Sequence, residues 1–364
     1  MSDAGDDRHT WIHERIARVP RIRLALTPTP LEAAPNLSRF LGGPRILIKR
    51  DDLTGIAFGG NKLRNLEFRL ARAMAERPDT VIVGLDIQSN SARQTIGACN
   101  KLGLNTILVL EGTKPDVVQG NLLVDYLLGA EVLFADTREA QRAALDERAA
   151  RVRAAGGHPH ILNDNPMFDV ASALAYLDTT LELLEQTARI DALYMSSSGK
   201  GQAGLVLGKR LTNAGHAVHG VSATDEFHVP SRTAAIANET LDVLSLDMRI
   251  TEDEILNDTG FVGAGYGIPS EASVEATKLF ARTEGVILDP VYTGKAAACT
   301  FGKAVTPGTT RWYSCTLAAL RPSSPGMRSG LQQPWVKCRH ASAGEWKRRP
   351  DRRCRGGACL CARR

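Results

Sequence analysis

From about residue 44 the chain alternates short apolar runs with stretches of helical period, and this constrains its fold more than any other feature. "RILIKR" reads as a strand, and "KLRNLEFRLARAMAER" sets Leu63, Leu66, Leu70 and Met74 at helix spacing. "DTVIVGL" is the next strand, "SARQTIGACNKLGL" the next helix and "NTILVLEG" the next strand, and the alternation continues to "PSEASVEATKLFARTEG". Buried Val and Ile runs taken in turn with helices imply parallel sheets covered by helices on both faces. The expected fold is therefore α/β, with two domains of mainly parallel twisted sheets. Residues 55–165 are expected to form the smaller domain and residues 1–54 and 166–298 the larger one, with a long helix at 171–188 as the bridge. In such sheets ligands bind where strands end and helices begin.

A chain of 364 residues can bury two cores, and 43% apolar with 23% charged residues is ordinary for a globular protein. No run approaches the roughly 18 apolar residues of a membrane span, and the first 30 residues lack a basic-then-apolar leader, so a cytoplasmic protein with no membrane partner is expected. Charge is unevenly spread. Residues 301–364 carry 14 Lys and Arg against Glu345 and Asp351, which leaves the rest of the chain acidic. Six of the seven cysteines and three of the four tryptophans also fall at or after residue 299. "CRGGACLC", with Cys354, Cys359 and Cys361, lacks the paired CxxC arrangement of a zinc ribbon, so no metal is expected. "KRRPDRRCR" could hold phosphate electrostatically, but no nucleic-acid partner is expected. Without hydrophobic periodicity, residues 299–364 read as an aberrant, disordered tail, as abrupt as a translation out of frame.

Four stretches at strand-to-helix turns carry chemistry. "GIAFGGNKLRNLEF" places Lys62 after two glycines at a helix start, the wrong end of the dipole for a cation. An amine there loses its proton readily and suits a Schiff-base nucleophile; the plain alternative is a surface lysine. "IQSNSARQT" offers Gln88, Ser89, Asn90 and Ser91 at a helix N-terminus, where they can take a carboxylate or merely cap the helix. "SSSGKGQAGL" presents Ser198, Gly199, Lys200, Gly201 and Gln202 as a phosphate cradle, without the spacing of a P-loop. Tyr266 and Tyr292, in "GYGIPSEAS" and "ILDPVYTGKA", supply phenols that can stack on a ring or exchange a proton. Amine, carboxylate pocket, phosphate cradle and phenol together meet the needs of pyridoxal phosphate chemistry acting on a small amino acid.

"PTPLEAAPNLSRFLGG", "IKRDDLTGIAFGGNKLRNLEF", "IQSNSARQT", "GYGIPSEAS" and "DPVYTGKA" resemble the family that joins aminocyclopropanecarboxylate deaminase with D-cysteine desulfhydrase, in the tryptophan-synthase-β class. The resemblance runs from about residue 14 to residue 298. It implies a fold type II enzyme with pyridoxal 5'-phosphate in the cleft between its domains, and a homodimer. It also implies Lys62 as the cofactor lysine, Ser89 with its neighbours at the substrate carboxylate, and Asn90 near the phenolic oxygen. Ser198 to Gln202 would lie at the phosphate and Tyr292 against the ring.

Three departures stand out. Lys200-Gly201 replaces the family's usual Gly-Thr pair, Ser91 stands where desulfhydrase-like members often have histidine, and nothing after Ala298 resembles the family's closing elements. Thr293 occupies the position where the deaminase places a glutamate against the pyridine nitrogen. Without that carboxylate the ring is a weaker electron sink, which favours loss of a good leaving group over ring opening. The expected reaction is β-elimination from an amino acid such as D-cysteine, giving pyruvate, ammonia and sulfide, with Lys62, Ser89 and Tyr292 as the catalytic group. The deaminase, a cysteate sulfo-lyase, and an inactive or unstable cofactor-binding protein are the alternatives.

Overall fold

The structure, a computed structural model, describes residues 3–42, 44–165, 167–226, 228–302 and 310–314. The chain opens with α1 (Asp3–Ala17), β1 (Leu31–Ala33), α2 (Pro35–Phe40) and β2 (Arg45–Lys49). It continues through α3 (Lys62–Met74), β3 (Thr80–Asp86), α4 (Asn90–Lys101), β4 (Asn105–Glu111), α5 (Asn121–Leu127), β5 (Glu131–Ala135), α6 (Arg138–Ala154) and β6 (Pro159–Ile161). Then come α7 (Val170–Gln186), β7 (Ala192–Ser197), α8 (Lys200–Thr212), β8 (Ala217–Ser222), α9 (Val229–Val243), β9 (Leu256–Asp258), α10 (Glu271–Glu284), α11 (Thr293–Gly302) and β10 (Thr310–Ser314).

These strands make two sheets. One is four-stranded and all parallel, in the order β5-β4-β3-β6. Its strands bury Val81, Ile82, Val83, Leu108 and Val109, so apolar side chains on both faces are covered, as a parallel sheet requires. The other is six-stranded, in the order β1-β2-β10-β7-β8-β9, parallel except for the antiparallel edge pair β1–β2.

Helix α7 is buried along nearly its whole length and packs on α8. The two backbones can meet because α8 carries glycine at the contact: a Cβ on Gly204 would lie 2.1 Å from the Ala173 carbonyl oxygen. The charged residues of α7 are paired. Glu182 accepts from Arg64 Nη1 at 2.7 Å and from Lys49 Nζ at 2.8 Å, and Arg64 Nη2 reaches Asp51 at 2.9 Å. This fully paired buried cluster ties α3 to α7 and β2, and so fixes the helix that begins with Lys62.

The expectation of a disordered tail from residue 299 is corrected at its beginning. Cys299 to Gly302 complete α11, and Thr310–Ser314 form β10 at an interior position between β2 and β7. "TRWYS" contains a β-branched residue and two aromatics, which suit a pleated surface, and parallel partners on both sides satisfy its backbone. The sheet therefore does not lose this strand. The remaining tail, with Cys354, Cys359 and Cys361, lies outside the described residues.

Candidate active site

Lys62 follows a turn that only a held backbone can make. Ala57 and Phe58 have positive φ (50° and 63°), and Gly60 has a φ of 130°. A Cβ on Gly59 would lie 2.0 Å from the Asp52 carbonyl oxygen, so glycine is required there by close approach. Arg93 of α4 is fully buried and donates to the Ala57 carbonyl, to the Gly59 carbonyl at 2.8 Å and to Asn121 Oδ1 at 3.1 Å. Gln94 accepts from Leu63 N at 2.9 Å and donates to the Asn90 carbonyl at 2.9 Å, joining the start of α3 to the start of α4. The Lys62 amine makes no hydrogen bond or ion pair to any described residue. Burial first, then the nearby Lys200 and Arg69 charges, push its amine down to about 8, with Asp289 opposing. A substantial fraction is therefore neutral near physiological pH.

Ser89 caps α4, its Oγ accepting from Ser91 N at 3.1 Å. This bond uses an oxygen lone pair and leaves the hydroxyl proton without an acceptor among the described residues, so capping and ligand binding are compatible. Asn90 is buried, its Oδ1 accepting from Asn121 Nδ2 at 3.0 Å. Gln88 is committed to the start of α5: its Oε1 accepts from Asn121 N at 2.9 Å and its Nε2 donates to the Gln119 carbonyl at 3.1 Å. Its side chain positions this turn, whereas a substrate contact was expected of it.

The loop Ser198 to Gln202 leads into α8, with Gly199 at the cap position and Ser198 exposed. Ser197 Oγ accepts from Gly199 N at 3.0 Å and donates to Gln202 Oε1 at 2.7 Å, while Gln202 Nε2 donates to the Leu256 carbonyl at 2.8 Å. The Gln202 side chain is thus spent inside the fold, and only its backbone is left for a ligand. Gly201 packs on Tyr176, where a Cβ would come to 3.0 Å from the ring. Lys200 Nζ pairs with Asp169 Oδ1 at 2.6 Å and lies 4.0 Å from the centroid of Phe168.

Tyr266 and Tyr292 share a hydroxyl–hydroxyl hydrogen bond of 2.5 Å, with ring centroids 6.0 Å apart. Tyr266 Oη also reaches Asp86 Oδ2 at 3.4 Å, at the end of β3. Tyr292 is held by Asp289, a buried carboxylate that the sequence reading passed over. Asp289 accepts from Val291 N at 3.0 Å, Tyr292 N at 2.6 Å, Thr293 N at 3.0 Å and Thr293 Oγ1 at 2.6 Å. Burial raises its pKa, and those hydrogen bonds pull it back. The Thr293 hydroxyl is therefore engaged by Asp289 at the start of α11.

The residues fit pyridoxal phosphate on observations independent of the resemblance. An unpaired amine with a lowered pKa stands at a glycine turn, and a long helix presents its N-terminus at the Ser198 to Gln202 loop. Arg69, 3% exposed, keeps a buried Nε without an acceptor among the described residues, as a donor awaiting an anion would. Among the described residues no group of His, Cys, Asp and Glu could hold a metal ion.

A family described as pyridoxal-phosphate dependent enzymes matches residues 22–310. D-cysteine desulfhydrase of Salmonella paratyphi C (strain RKS4594) is 37% identical over 297 residues, covering 78% of this chain and 88% of that protein. The D-cysteine desulfhydrase of Salmonella choleraesuis (strain SC-B67) matches to the same extent. Among solved structures, an ACC deaminase homologue superposes with a TM-score of 0.73 at 29% identity, covering 85% of this chain and 95% of that one. The processed form of threonine deaminase isoform 2 from Solanum lycopersicum, at 18% identity and a TM-score of 0.59, covers 90% of this chain and 88% of its own and shares the fold.

Proposed function

The chain belongs to the pyridoxal-phosphate dependent enzyme family, and on that premise we propose that it is a β-eliminating lyase whose substrate is D-cysteine, which with one water gives pyruvate, ammonia and sulfide. The observation that carries this reading is the Lys62 amine, half-buried, unpaired and lowered to about 8, in a chain with threonine rather than glutamate at position 293. When bound, the cofactor withdraws electrons from the substrate's α-carbon. The chain's own residues do the rest. The hydroxyls of Ser89 and Ser91 and the N-terminus of α4 bind the substrate carboxylate and orient the α-carbon. Lys62 Nζ, neutral in part, takes the α-proton. Tyr266 and Tyr292 are joined by a hydroxyl–hydroxyl hydrogen bond in which either can donate, and Tyr292 Oη can pass a proton to the departing sulfur.

On the same reading the smaller domain is residues 55–165, the larger one gathers residues 1–54 and 166–298 together with β10, and the protein is a cytoplasmic homodimer. No described helix is long and apolar enough to cross a membrane. The test is an assay of D-cysteine, L-cysteine, cysteate and aminocyclopropanecarboxylate side by side, with sulfide and pyruvate measured from the first. Preferential turnover of aminocyclopropanecarboxylate would overturn the assignment.

A further inference from the structure

Two arginines of this chain behave differently on the same helix. Arg64 is buried and fully paired, with Asp51 at 2.9 Å and Glu182 at 2.7 Å. Arg69 is equally buried, yet no described carboxylate comes within ion-pair distance. Its Nη2 donates to the Leu162 carbonyl at 3.2 Å, its Cζ lies 4.0 Å from the Phe168 centroid, and its Nε has no acceptor among the described residues. Lys200 Nζ lies 4.0 Å from that same centroid, so a guanidinium and an ammonium share one aromatic ring. Asp169 meets this cluster, but its carboxylate is already divided between Lys200 at 2.6 Å and Arg232 at 3.0 Å.

Asp169 is thus spent on Lys200 and Arg232, and no described carboxylate answers Arg69 on the other side of the shared ring contact near the start of α8. A buried cation without a counter-charge is costly, and the ring face offsets only a small part of that cost. A phosphate monoester carries close to two negative charges near neutral pH and can accept several charge-assisted hydrogen bonds. We propose that Arg69, Lys200 and Arg232, braced by Phe168 and Asp169, form a charge-based seat for the cofactor's phosphate, with Arg69 as its anchoring cation. The seat adds positive charge to a loop whose centre, Lys200-Gly201, carries an ammonium and no hydroxyl. The inference rests on the cofactor reading and extends it to residues outside the glycine turn.

The test uses the full chain freed of cofactor and compares binding of pyridoxal phosphate with binding of unphosphorylated pyridoxal. In Arg69→Leu, pyridoxal phosphate affinity should fall about 10- to 100-fold while pyridoxal affinity stays unchanged. Arg69→Lys should recover part of the loss. Wild-type binding of pyridoxal phosphate should weaken with added salt, and inorganic phosphate should compete with it; both effects should shrink in Arg69→Leu. The cofactor-free melting temperature of Arg69→Leu should not fall, because the variant removes an unpaired buried charge. Should that variant fail to fold, Lys200→Met read in the same way decides the matter, with a loss of about tenfold confined to the phosphorylated ligand. Equal weakening of both ligands, or undiminished binding of pyridoxal phosphate, would overturn the seat while leaving the cofactor reading intact. Failure of wild-type protein to bind either ligand would overturn the cofactor reading and the seat together.

Discussion

Replacing Arg93 should cost the protein both stability and turnover, although Arg93 is not itself placed against substrate. Its buried guanidinium satisfies the carbonyls of Ala57 and Gly59 and the Oδ1 of Asn121. Arg93→Met keeps the side-chain volume and removes every donor. Each buried acceptor left unsatisfied costs about 1–3 kcal/mol, so three give an upper range of roughly 3–9 kcal/mol. Relaxation of the half-buried loop lowers this, so a loss of about 2–5 kcal/mol is the expected magnitude here. A domain's whole stability is about 5–15 kcal/mol, so the change should be large in a urea titration. Ala57 and Phe58 sit at positive φ, and without the clamp they should relax, moving Lys62 and lowering kcat. Arg93→Lys retains charge but is a point donor in place of a fork, so it should recover less than half of the loss. A loss below about 1 kcal/mol with unchanged kcat would refute the clamp.

Lys62→Ala should abolish turnover and the visible band of bound cofactor, and borohydride reduction followed by peptide mapping should label Lys62; label on Lys200 would reject the assignment. Ser89→Ala should raise the substrate KM more than it weakens cofactor binding, and an unchanged KM would leave Ser89 as a helix cap alone. Asp125 is buried with no hydrogen bond to its carboxylate among the described residues, and burial pushes it up to about 7 against the pull of Arg93. Its folded pKa lies above the unfolded value, so the native state holds the extra proton and stability drains away as pH rises from about 4 through 7. Asp125→Asn should therefore resist urea better than wild type at pH 8 and match it near pH 4; a gap of equal size at both pH values would contradict this.

The sheets and most helices were legible because their signals are local. The leucine period of α3 and the Val-Ile runs of β3 and β4 need no knowledge of the rest of the chain. Strand β10 was hidden because five residues embedded in a basic, Cys-rich segment have no period to detect. Its identity comes from pairing with β2 and β7, more than a hundred residues away in sequence. The turns were legible for a different reason, since glycine and serine clusters before a helical period mark strand-to-helix points directly. Arginine misled the reading. Arg64, Arg69 and Arg93 count as polar in any amphipathic pattern, yet all three are buried, because α3 and α4 are enclosed on more faces than their apolar stripes imply. Asp289 looked like a turn residue in "ILDPVYTGKA", and the four bonds it accepts depend on how the chain wraps round its carboxylate between Val291 and Thr293.

What sets the geometry of the site is a shared frame beneath the turns. Gln94 bonds the first turn of α3 and the first turn of α4 with its two side-chain atoms, so Lys62 and Ser89 cannot shift independently. Asn121 bonds Gln88, Asn90 and Arg93, which brings α5 into the same frame. Because each of these amides uses both its donor and its acceptor, a displaced turn would leave several buried polar groups unpaired at once. The cost grows with each bond broken, and the amine and the helix N-terminus are held in register without either touching the other. On the opposite wall Asp289 does the same for Tyr292, binding three successive backbone N–H groups. At the phenols the two walls meet through the hydrogen bond of Tyr266 to Asp86, long at 3.4 Å and exposed. Each wall is therefore held by its own buried hydrogen bonds, which keep Lys62 and Ser89 in register on one side and Tyr292 on the other.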